Sequence, residues 1–168
     1  EKTKESINED GGLRTGDLGH LDADGYLYIT GRVKEQYKLE NGKYIAPAPL
    51  EESLKLSAYI DQVLLYGYNR PHNVALIVAA MPAVEQYAEG LGISGNSESI
   101  LSEPRIRQLF KEQLERYGKD FKGYEHPQNF ALLSEEWGID NGLLTPTLKV
   151  KREVVEEQFK TQIEGLFS

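Results

Sequence analysis

The sequence predicts an α+β domain in which a short, mainly antiparallel sheet is flanked by helices. Three observations carry that expectation. Two pairs of short β-rich runs are each joined by a cluster of turn formers, as hairpins require. Two longer stretches repeat apolar residues at helical spacing and are punctuated by Pro at the start and Gly at the end. No internal repeat and no low-complexity tract suggests a solenoid or a linker instead.

Glu1 to Gly12 is charged, ends in Asp10-Gly11-Gly12 and reads as a loop or a frayed end. Leu18–Leu21 and Tyr26–Thr30 flank Asp22-Ala23-Asp24-Gly25 and form the first expected hairpin, which should end at Gly31-Arg32. From Val33 to Asn41 the pattern is polar and irregular, and a domain boundary is expected near Val33-Lys34. Pro47 and Pro49 then introduce a short helix in which Leu50 and Leu54 share a face. Ile60–Tyr68 and Val74–Met81 read as the second hairpin, joined through Asn69-Arg70-Pro71-His72-Asn73.

Pro82 opens a helical stretch with Val84, Tyr87, Ala88 and Leu91 in step, broken by Gly90, Gly92 and Gly95. A loop is expected from there to about Ser102. Ser102 then reads as the N-cap of a helix whose Ile106, Leu109, Phe110, Leu114 and Tyr117 line one face before Gly118 stops it. Asn129–Ser134 is a further strand candidate. After a loop from Gly142 to Lys149, the residues Val155, Phe159, Ile163 and Leu166 describe a terminal amphipathic helix.

Composition bounds the function. At 168 residues the chain holds one compact domain plus an appendage, and 39% hydrophobic with 27% charged residues is ordinary for a folded globular protein. A net charge of -8 opposes broad binding to nucleic acid, which needs a basic field. With no cysteine there is no disulfide, thiolate nucleophile or cysteine metal site. No apolar run reaches the roughly 18 residues of a membrane span. The polar start is unlike a signal peptide, so the expected location is the cytoplasm, with at most peripheral contact at the inner membrane surface.

Motifs for common chemistries are absent. His20, His72 and His126 lack metal-ligand spacing, and neither a P-loop nor a G-x-S-x-G elbow occurs. Three other segments stand in a suggestive order: Thr15-Gly16-Asp17-Leu18-Gly19, Gly31-Arg32-Val33-Lys34-Glu35, and Gly142-Leu143-Leu144-Thr145-Pro146-Thr147-Leu148-Lys149. Taken alone, Asp17 reads as a turn cap and Lys34 as a solvated linker charge. Lys149, Lys151 and Arg152 form a basic cluster at a helix start, where cations oppose the helix dipole, so a polyanionic ligand is the better reason for them. Pro146 stiffens the loop that delivers Lys149.

Together and in this order the three segments resemble the adenylate-forming superfamily of acyl-CoA synthetases, firefly luciferase and peptide-synthetase adenylation domains. The resemblance implies that Asp17 and Arg32 hold the adenosine ribose, that Lys149 is the adenylation lysine and that Lys34 is a hinge. It implies that Lys38 serves the step after adenylation, with Gly42, Lys43 and Tyr44 next to coenzyme A. Leu39-Glu40-Asn41-Gly42-Lys43-Tyr44, Tyr124-Glu125 and the segment ending at Lys149 look like the long-chain fatty acid subgroup, and the helical stretch from Val84 to Tyr117 looks like that subgroup's enlarged scaffold.

On this resemblance residues 1–32 are the hairpin end of a large N-terminal domain and 33–168 a mobile C-terminal domain. The whole enzyme would join a fatty acid to ATP, with Mg²⁺ held mostly by the upstream domain, and pass the acyl group to coenzyme A. One face of the mobile domain would show Lys149 and the other Lys38 and Gly42. The fragment alone is then expected to be inactive. Two other readings stay open: an adenylating enzyme for another carboxylate, and a non-catalytic interaction module that keeps the fold.

Overall fold

Asn73–Ala79 is a near-continuous apolar run, the pattern of a strand covered on both faces, and it forms the centre of the molecule. The computed structural model describes residues 7–168, so part of the expected loop at 1–12 lies outside the described residues. In chain order the strands are β1 (Asp17–Leu21), β2 (Leu27–Arg32), β3 (Tyr37–Lys38), β4 (Tyr44–Ile45), β5 (Ile60–Tyr66), β6 (Asn73–Ala79) and β7 (Pro127–Leu133). The helices are α1 (Pro47–Leu54), α2 (Met81–Gly90), α3 (Ser97–Ser102), α4 (Pro104–Gly118), α5 (Arg152–Gln158) and α6 (Lys160–Gly165).

Three strands make the main sheet, in the order β5-β6-β7, with β5 antiparallel and β7 parallel to β6. Alternation along β5 and β6 divides the core in two. Val63, Leu65, Ala75 and Ile77 face one way and pack with Leu50 and Leu54 of α1, Val84 and Ala88 of α2, and Ile106 and Phe110 of α4. Leu64, Val74, Leu76 and Val78 face the other way and pack with Trp137, Leu143, Leu144, Val155, Phe159 and Ile163. The sheet is therefore sandwiched between two helical layers, and the domain is α+β as expected. Among the described residues, three of the four strand pairings are antiparallel.

Side chains close both edges of that sheet. On β5 the Leu65 N–H donates to Glu51 Oε1 (2.7 Å) and the Leu65 carbonyl accepts from Arg152 Nη2 (2.6 Å). On β7 the Phe130 N–H donates to Asn129 Oδ1 (2.9 Å), and its carbonyl accepts from Arg107 (3.3 Å), whose guanidinium lies over the Phe130 ring.

The first hairpin forms with its turn stabilised by Asp22, whose carboxylate accepts from the N–H groups of Asp24 and Tyr26. Its β2 strand carries a bulge, since Thr30 is the extra residue between the Leu18–Gly31 and Gly19–Ile29 pairs. A Cβ at Gly19 would sit 2.6 Å from the Tyr28 carbonyl oxygen, so glycine is required at that approach. Leu21, Tyr26, Leu27, Tyr28 and Ile29 are all exposed.

Four local expectations need correction. Val33–Asn41 is not irregular: a 3-10 turn at Val33–Glu35 leads into β3, which pairs with β4. Two-residue strands are too short to show a period in the sequence. The loop expected before Ser102 contains α3, capped by Asn96, whose Oδ1 accepts from the Ser99 N–H at 2.8 Å. Ser102 is consequently the end of α3 and its hydroxyl donates to the Ser99 carbonyl, while Glu103 takes the N-cap position of α4 without a side-chain cap. The terminal helix is broken at Phe159 (φ -100°, ψ 18°) into α5 and α6, yet its apolar stripe still packs on the sheet.

Candidate functional site

Lys149 is delivered by a three-residue hairpin loop. The Leu148 N–H donates to the Thr145 carbonyl (2.8 Å), closing a turn with Pro146 at its second position, and the Thr145 N–H donates to the Lys149 carbonyl (2.8 Å). Thr145 Oγ1 also accepts from the Lys149 N–H at 3.0 Å, and Leu144 bridges Val150 across the stem. Such a loop needs a left-handed residue before the second strand, and Leu148 supplies it at φ +59°. Pro146 thus acts as expected, within a turn rather than an open loop.

A leucine held left-handed costs about 1–2 kcal/mol, part of which glycine would give back in chain entropy. Leu148→Gly should therefore stabilise the chain by ~0.5–1 kcal/mol in thermal or urea unfolding. A loss of stability would mean that the exposed Leu148 side chain is held by a contact that outweighs the strain.

The loop carrying Lys38 is built the same way. The Gly42 N–H donates to the Leu39 carbonyl and the Leu39 N–H to the Lys43 carbonyl, both at 2.9 Å, with Gly42 left-handed at φ +85°. Here glycine meets the backbone demand that Leu148 meets in the other loop. Lys38 lies opposite Tyr44, its ammonium 5.7 Å from the ring centroid. Lys43 points elsewhere, 4.2 Å from the Tyr124 ring centroid, a cation–π contact.

Register brings Asp17 and Arg32 together, since they are directly opposite across β1 and β2, and Arg32 Nε donates to Asp17 Oδ1 at 3.0 Å. An open cleft of about 560 Å³ then gathers Asp17 and Arg32 from the hairpin, Glu51 and Lys55 from the α1 region, and Leu148, Lys149 and Arg152 from the C-terminal segment. Three of the sequence-predicted residues, Asp17, Arg32 and Lys149, therefore share one cleft. Lys34 lines a different one with Tyr37, Tyr66, Lys151 and Glu156.

The reading of the basic cluster as a ligand site is corrected for Arg152. Its Nη1 reaches Glu51 Oε1 and Oε2 at 2.8 and 2.9 Å, and its Nη2 the Leu65 carbonyl, so the guanidinium is spent inside the protein. Burial opposes its charge, but the Glu51 carboxylate outweighs that and lifts its pKa above the ordinary value. Tyr37 is raised by burial and donates from its hydroxyl to Asn73 Oδ1 at 2.8 Å. Burial likewise raises Glu156 above the usual carboxylate range.

Sequence reasoning did not anticipate Glu51, Asn73 or Tyr124 as partners. Asn73 is fully buried, accepting from Tyr37 and donating to the Glu125 carbonyl (2.8 Å), which ties the Lys38 strand to the approach of β7. A polar residue at the start of an apolar strand was the available signal. Among the described residues no group of three or more His, Asp or Glu side chains is arranged to hold a metal ion, so no chemical step is assigned to Mg²⁺ bound by this chain. No helix among them is long and apolar enough to cross a membrane.

Residues 34–95 match the family model of the AMP-binding enzyme C-terminal domain. Over that segment the chain is similar to AMP-binding enzyme C-terminal domains. Beyond the matched segment, the chain is 35% identical over 170 residues to long-chain-fatty-acid–CoA ligase 1 of Cavia porcellus, covering 99% of this chain and 24% of that protein. It is 32% identical to the peroxisomal long chain acyl-CoA synthetase 6 of Arabidopsis thaliana, again covering 99% and 24%. The chain thus spans about a quarter of the length of the curated relatives it matches.

Among solved structures, the adenylation domain of a carboxylate reductase from Mycobacterium chelonae superimposes with a TM-score of 0.81 at 26% identity, covering 99% of this chain and 24% of that one. The corresponding domain from Segniliparus rugosus, in complex with AMP and a co-purified carboxylic acid, gives 0.79 at 25% identity, covering 99% and 25%.

Proposed function

We propose that this chain is the C-terminal part of an AMP-forming long-chain fatty acid CoA ligase and supplies its adenylation lysine, Lys149. The observation that carries the proposal is the cleft in which Lys149 meets Asp17 and Arg32, residues more than a hundred positions earlier in the chain. A carboxylate opposite a guanidinium at a strand end suits a ribose diol, because the carboxylate accepts from its hydroxyls while the guanidinium donates to them. When a fatty acid carboxylate attacks the α-phosphorus of ATP, negative charge spreads over the phosphoryl oxygens and pyrophosphate leaves. The Lys149 ammonium stabilises that developing charge without acting as nucleophile or base.

In the second step the coenzyme A thiol displaces AMP. Lys38, on its own Gly42-closed hairpin and not among the residues lining the Lys149 cleft, serves that step, with Gly42, Lys43 and Tyr44 beside the incoming thiol. Rotation about Lys34, at the end of the hairpin and in the 3-10 turn, exchanges the two lysines. In this reading residues 1–32 belong to the large upstream domain, 33–168 move, and the protein is cytoplasmic with at most peripheral membrane contact.

The chain alone should fold cooperatively yet release no pyrophosphate from ATP and a long-chain fatty acid, whereas the complete protein should do so. Turnover by the chain alone would sink the assignment. Release by the complete protein with some other carboxylate, and none with fatty acids, would sink the substrate.

The exposed apolar residues of β1 and β2 support the proposed boundary, since a two-stranded ribbon is marginal in water without a body to pack on. Amide exchange in the chain alone should accordingly be weakly protected before Val33 and strongly protected in β5 and β6. Uniform protection across both would count against a boundary at Val33-Lys34.

A further inference from the structure

The ammonium of Lys149 forms no ion pair among the described residues, so the accuracy with which it is delivered depends on its backbone. One stem of its hairpin is anchored by Leu143 and Leu144, both buried on the sheet. The other stem ends three residues on at Arg152, the first residue of α5, where the Lys151 N–H donates to the Leu143 carbonyl at 2.9 Å.

Arg152 engages two targets at once, both oxygens of Glu51 and the Leu65 carbonyl, while Glu51 accepts from the Leu65 N–H. A planar fork held by a carboxylate and a strand edge fixes orientation as well as distance. A free ammonium at the same site would fix distance only. Apolar residues of similar volume often serve stability as well as a buried ion pair does, so stability alone is a weak reason for one here.

We propose that Glu51 and Arg152 are positioning residues that lock the Lys149 hairpin to the edge of β5. Glu51 lies on α1, the element that abuts β2 and so the Asp17–Arg32 hairpin, and it lines the same cleft as Lys149. The clamp therefore ties the lysine to the wall of the cleft it must reach into. This role in catalysis rests on the functional reading above; the locking of the hairpin does not.

Two conservative variants of the 168-residue chain test it. Arg152→Lys keeps a cation without the fork, and Glu51→Gln keeps an acceptor for the Leu65 N–H without the charge. Amide exchange at Thr145, Leu148, Lys149 and Lys151 should quicken by about tenfold or more in both, over and above any acceleration that the loss of global stability gives the β6 amides. Unchanged hairpin rates in folded variants would overturn the proposal, as would uniform acceleration through β5, β6 and α4, the mark of a merely structural pair. If Arg152→Lys does not fold, Glu51→Gln decides alone. Failure of both to fold overturns it too, because a positioning role presupposes a fold that stands without the clamp.

In the complete protein both variants should lower kcat for acyl-adenylate formation about tenfold or more, with KM for ATP within about twofold and thioester formation from supplied acyl-adenylate unaffected. An equal loss in both half-reactions would overturn the catalytic role. If the wild-type complete protein forms no acyl-adenylate, the functional reading fails, while the exchange rates still decide whether the clamp holds the hairpin.

Discussion

In the complete protein, Lys149→Ala is expected to slow acyl-adenylate formation by ~10²–10³, the cost of one preorganised donor aimed at developing charge. Thioester formation from supplied acyl-adenylate should be much less affected, and Lys38→Ala should do the reverse. The reasoning is geometric: each lysine has its own hairpin, and only Lys149 lines the cleft with Asp17 and Arg32. Lys34→Pro adds a control, since proline fixes the backbone at the proposed pivot; it should spare the first half-reaction and impair the second. Measuring the half-reactions separately on the three variants decides the matter. Equal losses in both steps for Lys149→Ala and Lys38→Ala would sink the two-face mechanism.

Glu51→Ala and Arg152→Ala are each expected to cost about 3–5 kcal/mol of stability, because each leaves a buried charge without its partner. The pair is shielded, with side-chain exposures of 20% for Arg152 and 11% for Glu51. Each single variant also strips a different Leu65 backbone group of its partner, the N–H with Glu51 and the carbonyl with Arg152, and these two losses add in the double variant. The stranded charge, by contrast, is absent from the double variant, which should therefore be destabilised by less than the sum of the two single ones, giving a coupling of ~2–3 kcal/mol in a urea-unfolding cycle. Additive single effects would mean that the two side chains act independently, contrary to the bidentate geometry.

What the sequence disclosed follows from which forces act over short stretches. The β5–β6 hairpin, α1, α2 and α4 were legible because each carries a period or a punctuating residue of its own, as Pro47, Pro82 and Gly118 do. The α3 helix escaped because its signal, Asn96, sits among glycines that also fit a loop. The parallel pairing of β7 with β6 is invisible in any local window, since three helices separate the two strands.

Among the residues that line the cleft, Asp17, Arg32 and Lys149 were singled out by ordered motifs. The partnership of Arg152 with Glu51 could not be read, because it joins residues 101 positions apart and because Arg152 sits in a run of cations that reads as a site for a polyanion. Burial of a guanidinium is a tertiary fact, and a basic residue at a helix start gives no hint of it.

The closed edges of the main sheet bear on how this chain behaves at high concentration. A second chain could extend the sheet only by displacing Arg152 and Glu51 from Leu65 on one side or Arg107 and Asn129 from Phe130 on the other. The ribbon of β1 and β2 has no such guard among the described residues: Leu21, Tyr26, Leu27, Tyr28 and Ile29 face solvent beside unpaired strand edges. Self-association of the isolated chain would therefore begin at this ribbon and leave the sheet intact, making the strand pair that presents Asp17 and Arg32 an adhesive surface as well.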